Sequence, residues 1–145
     1  MPNLFTSKHN LWYHIIISTV NRLPILLPEN EKRIIQVVME CFRNQQFRVE
    51  AINGVKEHLH LLVQTSANTA LADAIENALK ESKILINTEL FPAQSFDWHE
   101  EYAIFSVSQS QAVRVLDYIR QQKQVHVQKS FLKEWKEFLE VHGIQ

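Results

Sequence analysis

The chain has almost no glycine: Gly54 and Gly143 are the only two among 145 residues. That leaves no glycine-rich phosphate loop and no flexible linker. A lone cysteine, Cys41, cannot form a disulfide within the chain. Lying inside a helical pattern, it reads as a buried thiol in a reducing cytoplasm. No apolar run approaches the roughly 20 residues of a membrane helix, and the longest, around Ile15-Ile16-Ile17, has the length of a strand. Residues Met1–Lys8 lack the apolar core of a secretory signal. Neither sign of charge dominates, since 15 Lys+Arg against 16 Asp+Glu give a net charge of −1. That balance argues against a protein that grips duplex DNA by bulk charge, while a local basic patch stays open.

What is present fits one globular domain over residues 1–145, with 46% apolar residues to build a core. No repeat or low-complexity segment divides it. Leu11–Thr19 is apolar and β-branched and predicts a strand. Glu29–Gln46 shows helical spacing through Ile34, Ile35, Val38, Met39 and Phe42. Phe47–Val55 predicts a second strand, with a tight turn near Asn53-Gly54 leading into a third strand through Glu57–Gln64. Thr69 to about Leu90 predicts a helix, stopped by Phe91-Pro92, and Tyr102–Val107 a fourth strand. Ser108 and Ser110 are candidate caps for a helix from Gln111 to His126, and Phe131–Val141 predicts a last amphipathic helix. The order is that of an α+β, ferredoxin-like split βαβ: an antiparallel sheet with helices on one face, plus C-terminal helices. The other face is expected to be open to a partner or ligand, and the fold alone settles no chemistry.

The informative motif is His58-Leu59-His60. Side chains alternate across a strand, so both imidazoles project from one face. Such a pair either binds a divalent metal or hydrogen-bonds within the fold. A second feature follows about sixty residues later, Asp117-Tyr118-Ile119-Arg120-Gln121-Gln122. Ala112, Val115, Leu116 and Ile119 make the buried stripe of that helix, and Tyr118 and Gln122, four apart, lie one above the other beside it, which reads either as a boundary tyrosine with an exposed glutamine or as a pair facing a groove at the sheet edge. A tyrosine hydroxyl is a poor nucleophile at its ordinary pKa of about 10. A metal held by two histidines and the glutamine carbonyl would polarise a phosphoryl oxygen and let the tyrosine break a phosphodiester covalently.

Taken together, His14–Thr19 with Asn21-Arg22-Leu23-Pro24, then His58–Val63, Trp98, Tyr102–Ser108 and Tyr118–Gln122, resemble the single-tyrosine HUH transposases of small bacterial insertion sequences. That family includes the REP-associated tyrosine transposases. The resemblance implies a cytoplasmic, nucleoid-associated enzyme that cleaves and rejoins single-stranded DNA at hairpin-containing ends. It implies Mg²⁺ or Mn²⁺ on His58, His60 and Gln122, with Tyr118 as nucleophile forming a 5′-phosphotyrosine. It also implies a homodimer, and the expectation taken from it is that each site combines His58 and His60 of one chain with Tyr118 of the other; a site within one chain stays open. Two departures stand out: Glu101 occupies a place often taken by glycine, and Gln121 adjoins Gln122 as a rival ligand.

Lys80, Lys83, Arg120 and Lys123 are candidate contacts to DNA phosphates. Trp98 and Tyr102 are candidates for base stacking, though core packing is the stronger expectation for Trp98. His14 reads as a structural histidine, and His126, two turns beyond Tyr118, as a DNA contact. The residues leave two rivals open: a DNA-hairpin-binding protein without catalysis, and a small ferredoxin-like domain that binds a ligand.

Overall fold

The structure, a computed structural model, describes residues 5–93 and 95–145. Four strands, β1 (Leu11–Ser18), β2 (Arg48–Val55), β3 (His58–Thr65) and β4 (Ala103–Val107), form one antiparallel sheet in the order β2-β3-β1-β4. Helices α1 (Glu31–Asn44) and α2 (Leu71–Leu90) make the crossovers; α3 (Gln109–Arg120), α4 (Gln122–Gln128) and α5 (Phe131–Val141) follow β4. This is the expected split βαβ arrangement. Among the described residues no helix is long and apolar enough to cross a membrane.

Strand alternation divides the buried side chains between two faces. Ile15 and Ile17 of β1 with Leu59, Leu61 and Val63 of β3 pack against α1 (Ile34, Val38, Phe42) and α2 (Ile75, Ala78, Ile86). On the opposite face Leu62 and Val107 meet Ala112 and Ile119 of α3. Ile16, Ala103 and Phe105 meet Phe131, Trp135 and Phe138 of α5. The face expected to be open is therefore covered by the chain's own C-terminal helices. His58 and His60 point into that second interface, opposite Ser18 and Ile16 of β1.

Two local expectations change. The β2–β3 reversal falls at Lys56-Glu57, not at Asn53-Gly54, which pair with His60 and Leu59 inside the ladder. Lys56 takes the left-handed conformation (φ 56°), and its carbonyl accepts hydrogen bonds from the Ile25 and Leu26 N–H groups at 3.0 and 2.9 Å. Gly54 answers a different need: a Cβ there would sit 1.9 Å from the His58 carbonyl oxygen. The helix expected over Gln111–His126 is two helices that meet at Gln121 (φ −99°, ψ 19°). Asn53 Nδ2 donates to the carbonyls of Ile119 and Arg120 at 3.0 and 3.2 Å. A continuous helix would pair those carbonyls with residues 123 and 124. Ser108 is the N-cap residue of α3, but its hydroxyl bonds Ser110 Oγ instead of a backbone N–H.

Candidate active site

β3 fixes the two histidines side by side, both fully buried, with ring centroids 5.2 Å apart. α5 lies across them and lowers Glu134, 1% exposed, onto their Nε2 atoms. Glu134 Oε1 is 2.9 Å from His60 Nε2, 3.4 Å from His58 Nε2 and 3.1 Å from His126 Nε2. Glu134 Oε2 accepts the Tyr118 hydroxyl and the Gln122 amide, the latter at 3.0 Å. One carboxylate thus joins the histidine pair to the tyrosine of the same chain.

The break at Gln121 decides which glutamine takes part. Gln121 is exposed at the kink, whereas Gln122 is fully buried, and its Oε1 lies 3.1 Å from the Nε2 atoms of both His58 and His126. Starting a new helix at Gln122 aims His126 at the same point. His126 belongs to the site, then, instead of to a DNA-facing surface. His14, 1% exposed, places its Nε2 2.7 Å from His60 Nδ1 and holds that ring from behind, the structural role expected of it.

Burial and this carboxylate set the protonation chemistry. Burial works to depress His58, but hydrogen bonds to Glu134 and Glu57 outweigh it and lift the ring to about 8. For His60 burial wins, and the pKa falls to about 4 despite Glu134. Burial would raise Glu134, yet hydrogen bonds from His58 and His60 hold it well below the usual carboxylate range. Tyr118 is pushed well above the ordinary phenol value, by burial first and then by Glu134.

One ligand atom from each of His58, His60, His126 and Glu134 lies within 4.8 Å of all the others. Imidazole–metal bonds run to about 2.0–2.1 Å, so ligands on opposite sides of an ion stand roughly 4 Å apart. The cluster has the size and donors to hold a metal ion.

Phe131 of α5 stacks on His58, centroids 4.3 Å apart. Its other side lines a cleft of about 540 Å³, with Asn21, Arg22, His99, Leu132 and Trp135 among the walls. Lys80 and Lys83 line a second cleft that shares Asp97–Glu100 with the first, and Lys83 pairs with Asp97 at 3.0 Å. Arg120 and Lys123 lie elsewhere, at the α3–α4 kink beside β2, where Lys123 bonds Glu31 at 2.5 Å and Asn53 at 3.1 Å. The four cations therefore form two separate pairs. Trp98 is core, 6% exposed, with Nε1 donating to Ser82 Oγ at 2.9 Å. Tyr102 is half-buried against the α1–α2 core.

Sequence reasoning missed Glu134. The signal was a carboxylate on the apolar stripe of α5, among Phe131, Trp135 and Phe138 at offsets of −3, +1 and +4.

A family model described as "Transposase IS200 like" matches residues 7–122. The fold is similar to the crystal structure of a candidate transposase from Deinococcus radiodurans R1, with TM-score 0.66, 18% identity, and 84% of this chain and 98% of that chain covered. It is also similar to a REP-associated tyrosine transposase bound to a REP hairpin, with TM-score 0.63, 13% identity, and 87% of this chain and 74% of that one covered. Comparison with curated proteins yields no match.

Proposed function

The chain belongs to the IS200-like transposase family, and from that premise we propose that it cleaves and rejoins single-stranded DNA at hairpin-containing ends, with Tyr118 as nucleophile. The observation that carries this reading is the Glu134 carboxylate, bonded on one oxygen to the Tyr118 hydroxyl and on the other to the histidine cluster. A buried tyrosine hydroxyl tied to a metal-competent cluster has no need of that arrangement for packing alone.

The Tyr118 oxygen attacks the scissile phosphorus, and the bond to the 3′ oxygen breaks. The tyrosine's proton is balanced by the one gained on the freed 3′-hydroxyl, and the 5′ phosphate stays on Tyr118. Rejoining runs the same exchange backwards with a second 3′-hydroxyl, so no ATP is required. Glu134 Oε2 orients the hydroxyl before attack. His58 and His60, with the Gln122 side-chain oxygen, would hold a divalent ion, Mg²⁺ or Mn²⁺. That ion, when bound, stabilises charge on the phosphoryl oxygen. The strand would run along the cleft bounded by Arg22, His99 and Trp135, and Phe131, which lines that cleft and stacks on His58, would move aside for the scissile phosphate to reach the site. Lys80 and Lys83 bind its phosphates farther along, and Arg120 and Lys123 meet the hairpin stem at the other end.

In place of the site shared between subunits that the resemblance suggests, we place the site within a single chain; what supports this is that the Tyr118 and His60 rings of one copy lie with centroids 5.9 Å apart. A homodimer of the kind the resemblance implies would then serve to hold two DNA ends, not to complete a site.

The test is a covalent-adduct assay on a single-stranded hairpin substrate. Wild-type protein is expected to give a phosphotyrosine adduct that Tyr118→Phe does not form, with hairpin binding retained. An adduct from the Phe variant at the wild-type rate removes Tyr118 from its role. Hairpin binding without any adduct in the wild type favours the non-catalytic reading.

A further inference from the structure

His126 and Glu134 lie beyond the matched residues 7–122, yet they complete the cluster. Three imidazoles turn Nε2 toward Glu134 Oε1, at 2.9 to 3.4 Å. The far nitrogen of each ring is held from behind. His126 Nδ1 donates to the Lys129 carbonyl at 2.9 Å, and His58 Nδ1 to the Glu57 carboxylate at 3.1 Å. His60 Nδ1 meets His14 Nε2 at 2.7 Å.

A carbonyl and a carboxylate can only accept, so Nδ1 carries the hydrogen in both His58 and His126. In the neutral rings, the form that binds metal, Nε2 is then the free ligand atom. The ligand atoms of His58, His60, His126 and Glu134 lie within 4.8 Å of one another in one small buried volume, close enough for one cation to join them. Hydrogen bonds behind each imidazole are also how proteins orient histidines that bind metal.

We propose that His58, His60, His126 and Glu134 form a three-imidazole, one-carboxylate centre that takes a first-row transition-metal dication such as Mn²⁺ in preference to Mg²⁺. The proposal deepens the transposase reading and rests on it for the need of an ion. Mg²⁺ is a hard cation that keeps oxygen ligands and several waters. Three nitrogen donors suit a transition metal and leave Mg²⁺ short of oxygens. Glu134 bridges the parts, one oxygen toward the ion's site and the other on the Tyr118 hydroxyl. It is a positioning residue for the nucleophile as well as a ligand.

Binding is measured on the full chain, stripped with EDTA and free of DNA. Mn²⁺ uptake is read from loss of the free-ion paramagnetic resonance signal. One ion per chain is expected, retained against a large molar excess of Mg²⁺. His126→Ala and Glu134→Gln are each expected to weaken Mn²⁺ binding at least about tenfold. Glu134→Gln keeps the side chain's shape, and circular dichroism of both metal-free variants establishes that they fold. In the Co²⁺-loaded protein, three hyperfine-shifted imidazole N–H signals are expected, falling to two in His126→Ala. Displacement of Mn²⁺ by an equal concentration of Mg²⁺, or two such signals in the unaltered protein, overturns the proposal. Because no DNA is present, that failure leaves strand cleavage by Tyr118 standing; failure of the adduct assay leaves the metal result standing.

Discussion

Asn53 on β2 grips the end of α3: one amide nitrogen donates to the Ile119 carbonyl at 3.0 Å and to that of Arg120 at 3.2 Å. The contact breaks a helix that would otherwise run on from Tyr118, and Gln122 and His126 reach the cluster only because of the break. Asn53→Ala removes both bonds. A stability loss of about 1–2 kcal/mol is expected, together with a fall in adduct formation, since α4 loses its phase. The thermal midpoint and the adduct rate, measured on the same preparation, check it. An unchanged adduct rate would show that α4 holds its direction without Asn53.

Mixing two inactive proteins tests whether one chain holds the whole site. A His58→Ala, His60→Ala double variant lacks two of the proposed ligands, and Tyr118→Phe lacks the proposed nucleophile. With each site inside one chain, every site in a mixed population stays broken. No recovery of adduct formation is expected after subunit exchange. Recovery would mean that tyrosine and histidines are shared between copies.

Gly54→Ala should damage the site from behind. Its Cβ would meet the His58 carbonyl oxygen at 1.9 Å and the Leu59 Cα at 2.9 Å. Both are backbone atoms and cannot rotate away, so β2 and β3 must part beside His58. Overpacking of this kind costs about 1–3 kcal/mol. A lower thermal midpoint and weaker Mn²⁺ binding are expected together. A stable variant with full metal affinity would show that the ladder can give at this point.

Cys41 is fully buried on the inner face of α1, and burial pushes its thiol from the ordinary 9.0 to about 12. The folded pKa is the raised one, so the thiol's contribution to stability is complete below 9.0 and is lost between 9.0 and about 12, as the unfolded chain ionises first. The thermal midpoint of the wild type is expected to fall more steeply over that range than that of Cys41→Ala. A thiol reagent at about pH 8 is expected to modify only the denatured chain. Rapid labelling of the native protein would place Cys41 nearer the surface.

Much of the fold was legible because its signals are local. The alternation in His58–Gln64 assigns Leu59, Leu61 and Val63 to one face and the histidines to the other, as found. Asn53-Gly54 looked like a turn because that pair often makes one. Here both residues are committed to partners distant in sequence, Asn53 to α3 and Gly54 to close approach of β3. The kink at Gln121 had no local mark either, since its cause sits on another strand. Of the cluster, His58, His60, Tyr118 and Gln122 were readable as spaced motifs. His126 was seen but assigned outward, because an unbroken helix was assumed. Glu134 was overlooked although a carboxylate on an apolar stripe asks for a buried partner.

The cover that α5 lays over the cluster bears on how long a cut can wait. His58, His60, Gln122 and Glu134 are 0–1% exposed, and the Tyr118 hydroxyl turns inward to them. A phosphate left on that oxygen would sit in a chamber with little bulk water, roofed by Phe131 and Phe138. Hydrolysis, which would make the break permanent, is slow where its reagent is scarce. A strand end already bound in the neighbouring cleft carries its own 3′-hydroxyl to the same place. Under the proposed tyrosine chemistry, the roof would act as a timer that favours resealing over loss.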